Sequence, residues 1–220
     1  MGLEIQLDTE IERDWLHRFI LVSLAPLQKL FTIRRSRMVI TYQPSKTVSL
    51  YLQAREELKA RNLPSENSNL YATGDGTKRN YTINCDYGLP QKLKFKTHAQ
   101  FSTFEIGAVT TKGMALIQDI SFDLGKFSIT GRYALFDTQD HDNRQYVYER
   151  DVWLAYSLPA YSGVGVRNYL LTEYSVNKHL TLWIRFAHIR YTDINEIGSG
   201  ADTIEGNSKN DIRIQARIKF

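Results

Sequence analysis

Three stretches of this 220-residue chain hold residue types that chemistry uses. The densest is DTQDHD, which gathers Asp137, Asp140, His141 and Asp142. A calcium ion takes roughly 6–8 oxygen ligands, and one loop with these carboxylates falls short of that. A protease built on acid–histidine pairs needs a second acidic pair, and the sequence places none. A solvated hairpin loop explains the stretch more simply, because Asp favours turns. The second candidate is His98 with Ser102, alongside His188. Four residues along a strand span about 13 Å, too far for a nucleophile and its base. Both histidines therefore read as wall residues. The third is IGSGADTIEGNS, whose glycines are not followed by Lys-Ser or Lys-Thr, so it is no phosphate loop. It reads as the surface loop joining the last two strands. Cys85 is the only cysteine, so neither a disulfide within the chain nor a thiolate zinc site is available. It reads as a small apolar packing residue. No catalytic, cofactor-binding or metal-ligating residue is assigned, and the chain is not read as an enzyme.

The elements that would carry such residues are more telling. Apolar and polar residues alternate with period two almost everywhere after residue 36, the mark of strands with two unlike faces. In TVSLYLQAR, Val48, Leu50, Leu52 and Ala54 share a face. In LKFKTHAQF, Leu93, Phe95, Thr97, Ala99 and Phe101 oppose Lys94, Lys96 and His98. In KFSITGRYAL, Phe127, Ile129, Gly131, Tyr133 and Leu135 oppose Arg132. In LTLWIRFAH, Leu180, Leu182, Ile184 and Phe186 oppose Arg185. The last strand, NDIRIQARIKF, sets Ile212, Ile214, Ala216, Ile218 and Phe220 against Arg213, Arg217 and Lys219. Lys94, Lys96, Arg132, Arg185, Arg213 and Arg217 would point to solvent on a sandwich and line a wet lumen in a wide barrel.

Length separates the two. Several of these strands run about 10–14 residues, where globular strands average about 5–6 and a tilted membrane strand needs about 9–11. No run of about 18 apolar residues is present, so no transmembrane helix is expected. A membrane barrel keeps an ordinary mean hydropathy, here −0.37, because only one face meets lipid. Thirteen tyrosines among 12% aromatic residues suit aromatic girdles at membrane interfaces. The net charge of +4 is spread through the strands, so charge alone does not indicate nucleic acid.

Tight turns are expected at residues 43–47, 87–92, 123–126 and 175–179, and longer polar connections at 57–80, 137–144 and 192–209. Outer-membrane barrels put short turns at one end and long loops at the other. Counting hairpins back from Phe220 sets the 123–126 turn on the long-loop side. That places a miscount of one strand between Arg144 and Val176, most simply in SLPAYSGVGVRNYLL, which Pro159 and glycines interrupt. The first 36 residues are less regular. DWLHRFILVSLAPLQKLFTIRR is read as a strand pair broken at Pro26 rather than a short helix.

The order of GRYALFDT, YSLPAYSG, IGSG and EGN, ending in an aromatic strand, resembles the C-terminal barrel of a Bacteroidota outer-membrane family. Full-length members of that family combine a signal peptide, a helix-hairpin-helix region and a large β-barrel. The resemblance runs from about Gly131 to Phe220, and more weakly back to YQPSKTVSLYLQARE. It implies an architecture and a bacterial outer-membrane location, with lipid as partner, and not a reaction. The helix-hairpin-helix part has no counterpart here, so direct nucleic-acid contact is not inferred for this segment. The last strand, through Ile212, Ile214, Ala216, Ile218 and Phe220, resembles the signal read by the barrel assembly machinery, whose logic is strand addition at an edge.

The reading is all-β: one domain over 1–220, an antiparallel transmembrane β-barrel of about ten strands, or an incomplete C-terminal part of a larger barrel. The start, with no basic and apolar leader, suggests a piece of a longer chain. The expected role is structural or pore-forming and porin-like. A part in a DNA or macromolecule uptake pore and a soluble β-barrel or sandwich binding module are the alternatives. The sequence does not set an oligomeric state.

Overall fold

The structure is a computed structural model that describes residues 2–13, 32–63, 72–89 and 92–220. Ten long strands form one antiparallel sheet. They are β1 (Gly2–Arg13), β2 (Thr32–Ser45), β3 (Val48–Leu63), β4 (Ala72–Leu89), β5 (Leu93–Ile106), β6 (Val109–Asp123), β7 (Phe127–Thr138), β10 (Gly163–Ser175), β11 (Leu180–Tyr191) and β14 (Ser208–Ile218). Each pairs with the next long strand in the chain, which makes an unbroken meander with β1 and β14 at its edges. Two small hairpins sit inside connections: β8 (Gln145–Tyr146) with β9 (Ala160–Tyr161), and β12 (Glu196–Ile197) with β13 (Ile204–Glu205). The pair DWLHRFILVSLAPLQKLFTIRR expected around Pro26 lies largely outside the described residues. Its flanks belong to β1 and β2.

The ends of the sheet differ. Residues 46–47, 124–126 and 176–179 connect strands at one end, where three of the expected tight turns fall; the tip of the fourth, expected at 87–92, lies outside the described residues, and its flanks Leu89 and Lys92 are at the same end. In the turn before β11, Asn177 Oδ1 accepts from the His179 and Leu180 amides at 2.8 and 2.9 Å. Gly125, at φ 78°, closes the turn before β7 in a conformation other residues avoid. The long connections all leave from the other end, with one short turn among them at Gly107, φ 59°. The miscount is explained here. The chain passes from β7 to β10 in a single connection, residues 139–162, and these residues supply no wall strand.

The two faces separate as strictly as the ends. Ile214 is 75% exposed, Ile184 53% and Leu52 45%, and Leu3, Ile5, Leu7, Leu50, Ile83, Leu116, Leu135, Phe186 and Ile218 are exposed on the same face. A water-soluble sandwich would turn this face inward, so the binding-module alternative fails on orientation. Such a continuous apolar surface suits hydrocarbon. Aromatic rings gather at its turn end. Tyr87 stacks on Phe95 with centroids 6.5 Å apart, and Phe127 meets Tyr174 at 5.0 Å. Toward the loop end the same face becomes charged, with Arg79 held by Glu56 and Glu105, each at 2.8 Å. An apolar band bounded by aromatics and then by ion pairs follows the polarity profile of a bilayer. The architecture is an antiparallel transmembrane β-barrel, incomplete in that no pairing among the described residues joins β1 to β14.

Candidate functional site

Residues 139–162 fold back over the inner face of β5, β6, β7, β10 and β11 and make the candidate site. Their own alternation drives this. From Gln145 to Arg150, buried Gln145, Val147 and Glu149 take turns with exposed Tyr146, Tyr148 and Arg150. The buried row needs an apolar and polar partner surface, and the wall supplies it. Val147 and Tyr161 join Ala115, Ile117, Ala134, Phe136 and Ile189 in one cluster, where Phe136 and Tyr161 stack at 5.2 Å. Val152 joins Tyr169, Leu171, Trp183 and Ala187 in another.

Polar latches fix the segment at two places. Near the loop end, the buried Asn143 amide oxygen accepts from Ser102 at 2.9 Å, and Gln145 Nε2 donates to Ser102 Oγ at 2.6 Å. Asp140 Oδ1 accepts from the Asn143 backbone amide at 2.8 Å, and Asp140 also binds Thr111. Gly113 lies directly underneath: a Cβ there would sit 2.7 Å from the Asn143 carbonyl oxygen. The expected solvated hairpin at 137–144 is therefore corrected. Asp140 turns into the protein toward Asn143 and Thr111 and Asp142 meets Arg61 at 3.4 Å, while Asp137, in β7, stays exposed on the outer face. Among the described residues no group of His, Cys, Asp and Glu is arranged to hold a metal.

The second latch is Glu149, whose side chain is fully buried. Arg167 Nε and Nη2 donate to its two oxygens at 2.6 and 2.8 Å, Arg185 Nη2 at 2.5 Å, and the Tyr161 hydroxyl at 2.9 Å. Burial by itself would raise the Glu149 carboxyl pKa. The hydrogen bonds and charge of Arg167, the Tyr161 hydroxyl and the Arg185 charge outweigh it, so the pKa is lowered and Glu149 stays ionised. Burial pushes the Tyr161 hydroxyl up, and the neighbouring carboxylate adds to that, so it remains a donor at neutral pH. Isolated, such a carboxylate would be costly to bury; matched by the Arg167 fork, one Arg185 bond and the Tyr161 hydroxyl it is satisfied.

The six basic residues singled out by alternation all occupy this inner face. Arg132 grips Asp119 through two bonds of 2.6 Å and donates to the Tyr148 carbonyl at 2.8 Å. Arg185, fully buried, also donates to the Arg150 carbonyl at 3.1 Å and lies 4.9 Å from the Tyr169 ring centre. Arg213 pairs with Asp151 and, at 3.3 Å, with Asp211. Arg217 lies over both Trp153 and Trp183, whose rings stack 6.4 Å apart. Lys94 and Lys96 stand further along, exposed on β5, with Lys96 3.4 Å from Asp86. On the opposite face, the side chains of Ile212, Ile214, Ala216 and Ile218 of β14 point outward, away from the segment.

His98 is on the inner wall, bonded to Asn84 and, at 3.2 Å, to Gln100, while Ser102 binds the folded segment instead. His188 is on the outer face and meets Asn210 at 2.7 Å. Cys85 is a free, half-buried cysteine on β4. IGSGADTIEGNS forms the β12–β13 hairpin between β11 and β14. Glu149, Tyr161, Asn143 and Gln145 were not singled out from sequence. Their signal lies elsewhere: MALI in β6 and YLL in β10 are apolar on both faces, unlike the clean alternation of β3 and β5, so something must cover the inner side.

The sequence matches no family profile and no curated protein. Solved structures do resemble the fold. An anion-selective porin from Comamonas acidovorans aligns over 85% of this chain and 49% of its own, with a TM-score of 0.56 and 14% identity. The outer-membrane expressed OmpT of Vibrio cholerae aligns over 85% and 56%, with a TM-score of 0.54 and 10% identity. The chain thus spans about half the length of these proteins. At such identities the likeness concerns architecture, and on that ground the chain has the fold of outer-membrane β-barrels, with a segment folded against the inner wall.

Proposed function

We propose that this chain forms, or is part of, a water-filled pore in a bacterial outer membrane, narrowed by residues 139–162. The observation that carries the reading is the pairing of faces. An apolar outer surface meets lipid, while on the inner face Lys94, Lys96, Arg213 and Arg217 are at least partly open to the lumen and buried Arg132 and Arg185 hold the segment that Glu149 latches. Charged rings in a wet channel select solutes by sign and size. The Comamonas acidovorans porin that the chain resembles is anion-selective, which accords with this basic inner face. The edge strand β14 has no second strand partner among the described residues and turns Ile212, Ile214, Ala216 and Ile218 outward, with Phe220 beyond, which suits strand addition by the barrel assembly machinery. The Bacteroidota resemblance belongs to the same reading. The test is conductance across a planar bilayer after detergent refolding, with unboiled and boiled samples compared on a gel. Discrete conductance steps from a compact, heat-modifiable species are expected. A compact species that never conducts overturns the pore.

A further inference from the structure

Beneath the folded segment, toward the turn end, lies an open cleft of ≈ 820 Å³ that the latches do not use. Ligand pockets span about 300–1,000 Å³ and join ring faces to a few convergent charges. This cleft has both. Its wall carries Lys94, Lys96 and Arg132, with Lys46 at the rim, and its roof carries Tyr146, Tyr148 and Arg150. Two carboxylates line it, and both are engaged: Asp119 by Arg132, and Asp86 by Lys96 at 3.4 Å. Arg150 donates to Thr130 at 2.9 Å and pairs with no carboxylate, and Lys46 and Lys94 have no carboxylate partner among the described residues. Tyr146 and Tyr148 are about half exposed on the polar side of the sheet, where water rather than lipid would meet them. Asn84, Ser49, Ser121 and Thr130 add hydroxyl and amide groups between the charges.

We propose that this cleft is a binding subsite for an anionic sugar, one carrying a phosphate or a carboxylate. The uncompensated cations take the anion, the tyrosine rings take the apolar face of the pyranose, and the hydroxyl and amide groups take its hydroxyls. A bare anion would leave the rings unused, and a neutral sugar would leave the cations uncompensated. The proposal rests on the pore reading for its access to solute, but binding itself needs no conductance.

Isothermal titration of the refolded full chain tests it, with glucose 6-phosphate, glucose and inorganic phosphate as probes. Glucose 6-phosphate should bind saturably, and each of the others about tenfold more weakly or worse. Lys94→Gln should weaken glucose 6-phosphate about tenfold. Tyr148→Ala should weaken it about two- to tenfold, while Tyr148→Phe retains it. Lys112→Gln, on the outer face, should change nothing. Equal binding of glucose, equal binding of phosphate, or no binding by a folded chain overturns the subsite. Binding by a chain that does not conduct supports the subsite and overturns the pore alone.

Discussion

Glu149 joins three elements that the chain brings together from far apart. Its partners Arg167 and Arg185 lie 18 and 36 residues away, so no local pattern announces the cluster. The arginines themselves were legible, because period two assigns every second residue of a strand to one face. What alternation could not give is the partner, since GluArg pairing across β10 and β11 depends on where the 139–162 segment comes to rest. Glu149→Gln leaves the Arg167 guanidinium without its counter-charge and Arg185 with only the more distant Asp151, at 3.8 Å, a change of the kind that costs about 3–5 kcal/mol. The segment should then detach while the wall stays folded. Limited proteolysis between residues 139 and 162 should rise sharply, and single-channel conductance should increase. Acid should do the same. The Glu149 pKa is lowered on folding, so its stabilising contribution is complete above the unfolded carboxylate value near ~4.3 and is lost as pH falls through the lower folded value. Protease sensitivity of the segment should therefore climb only below about pH 4, and the Glu149→Gln variant should lack that step.

At the scale of elements, the count of about ten strands, five of the strands themselves (β3, β5, β7, β11 and β14) and four of the short turns were legible in the sequence, while the strand residues 57–63 and 72–80, read as part of a long connection, and the 139–162 segment were not. The reason is physical. Its buried row, Gln145, Val147 and Glu149, alternates like a wall strand, so periodicity alone makes it one strand too many. Only the apolar inner sides of β6 and β10, with Ile117 and Leu171 among them, reveal that a cover is required. Gly113 marks the closest approach of cover to wall. Gly113→Val should lift the segment at Asn143 and cost about 1–3 kcal/mol, seen as a lower temperature for the loss of the compact gel species. The outer face makes the opposite demand. Ile184→Arg, in the exposed apolar row of β11, should cost about 2–4 kcal/mol at mid-membrane and block insertion into vesicles. Lys96→Gln on the inner face should insert normally.

For the whole molecule, the account is that one antiparallel sheet separates lipid from water. Its outer face is apolar between an aromatic end and a charged end, its inner face holds the basic row, and its long connections leave from one side. Among the described residues β1 and β14 do not pair with each other, and the chain spans about half the length of the solved barrels it resembles. The most direct test is a nitroxide scan along β11 in lipid vesicles. Cys85→Ser first removes the free thiol, and single cysteines are then placed from residue 182 to 187. Labels at 182, 184 and 186 should collide freely with oxygen dissolved in the bilayer, and labels at 183, 185 and 187 should not. An accessibility profile with no period of two, or with its maxima at 183, 185 and 187, would contradict the account.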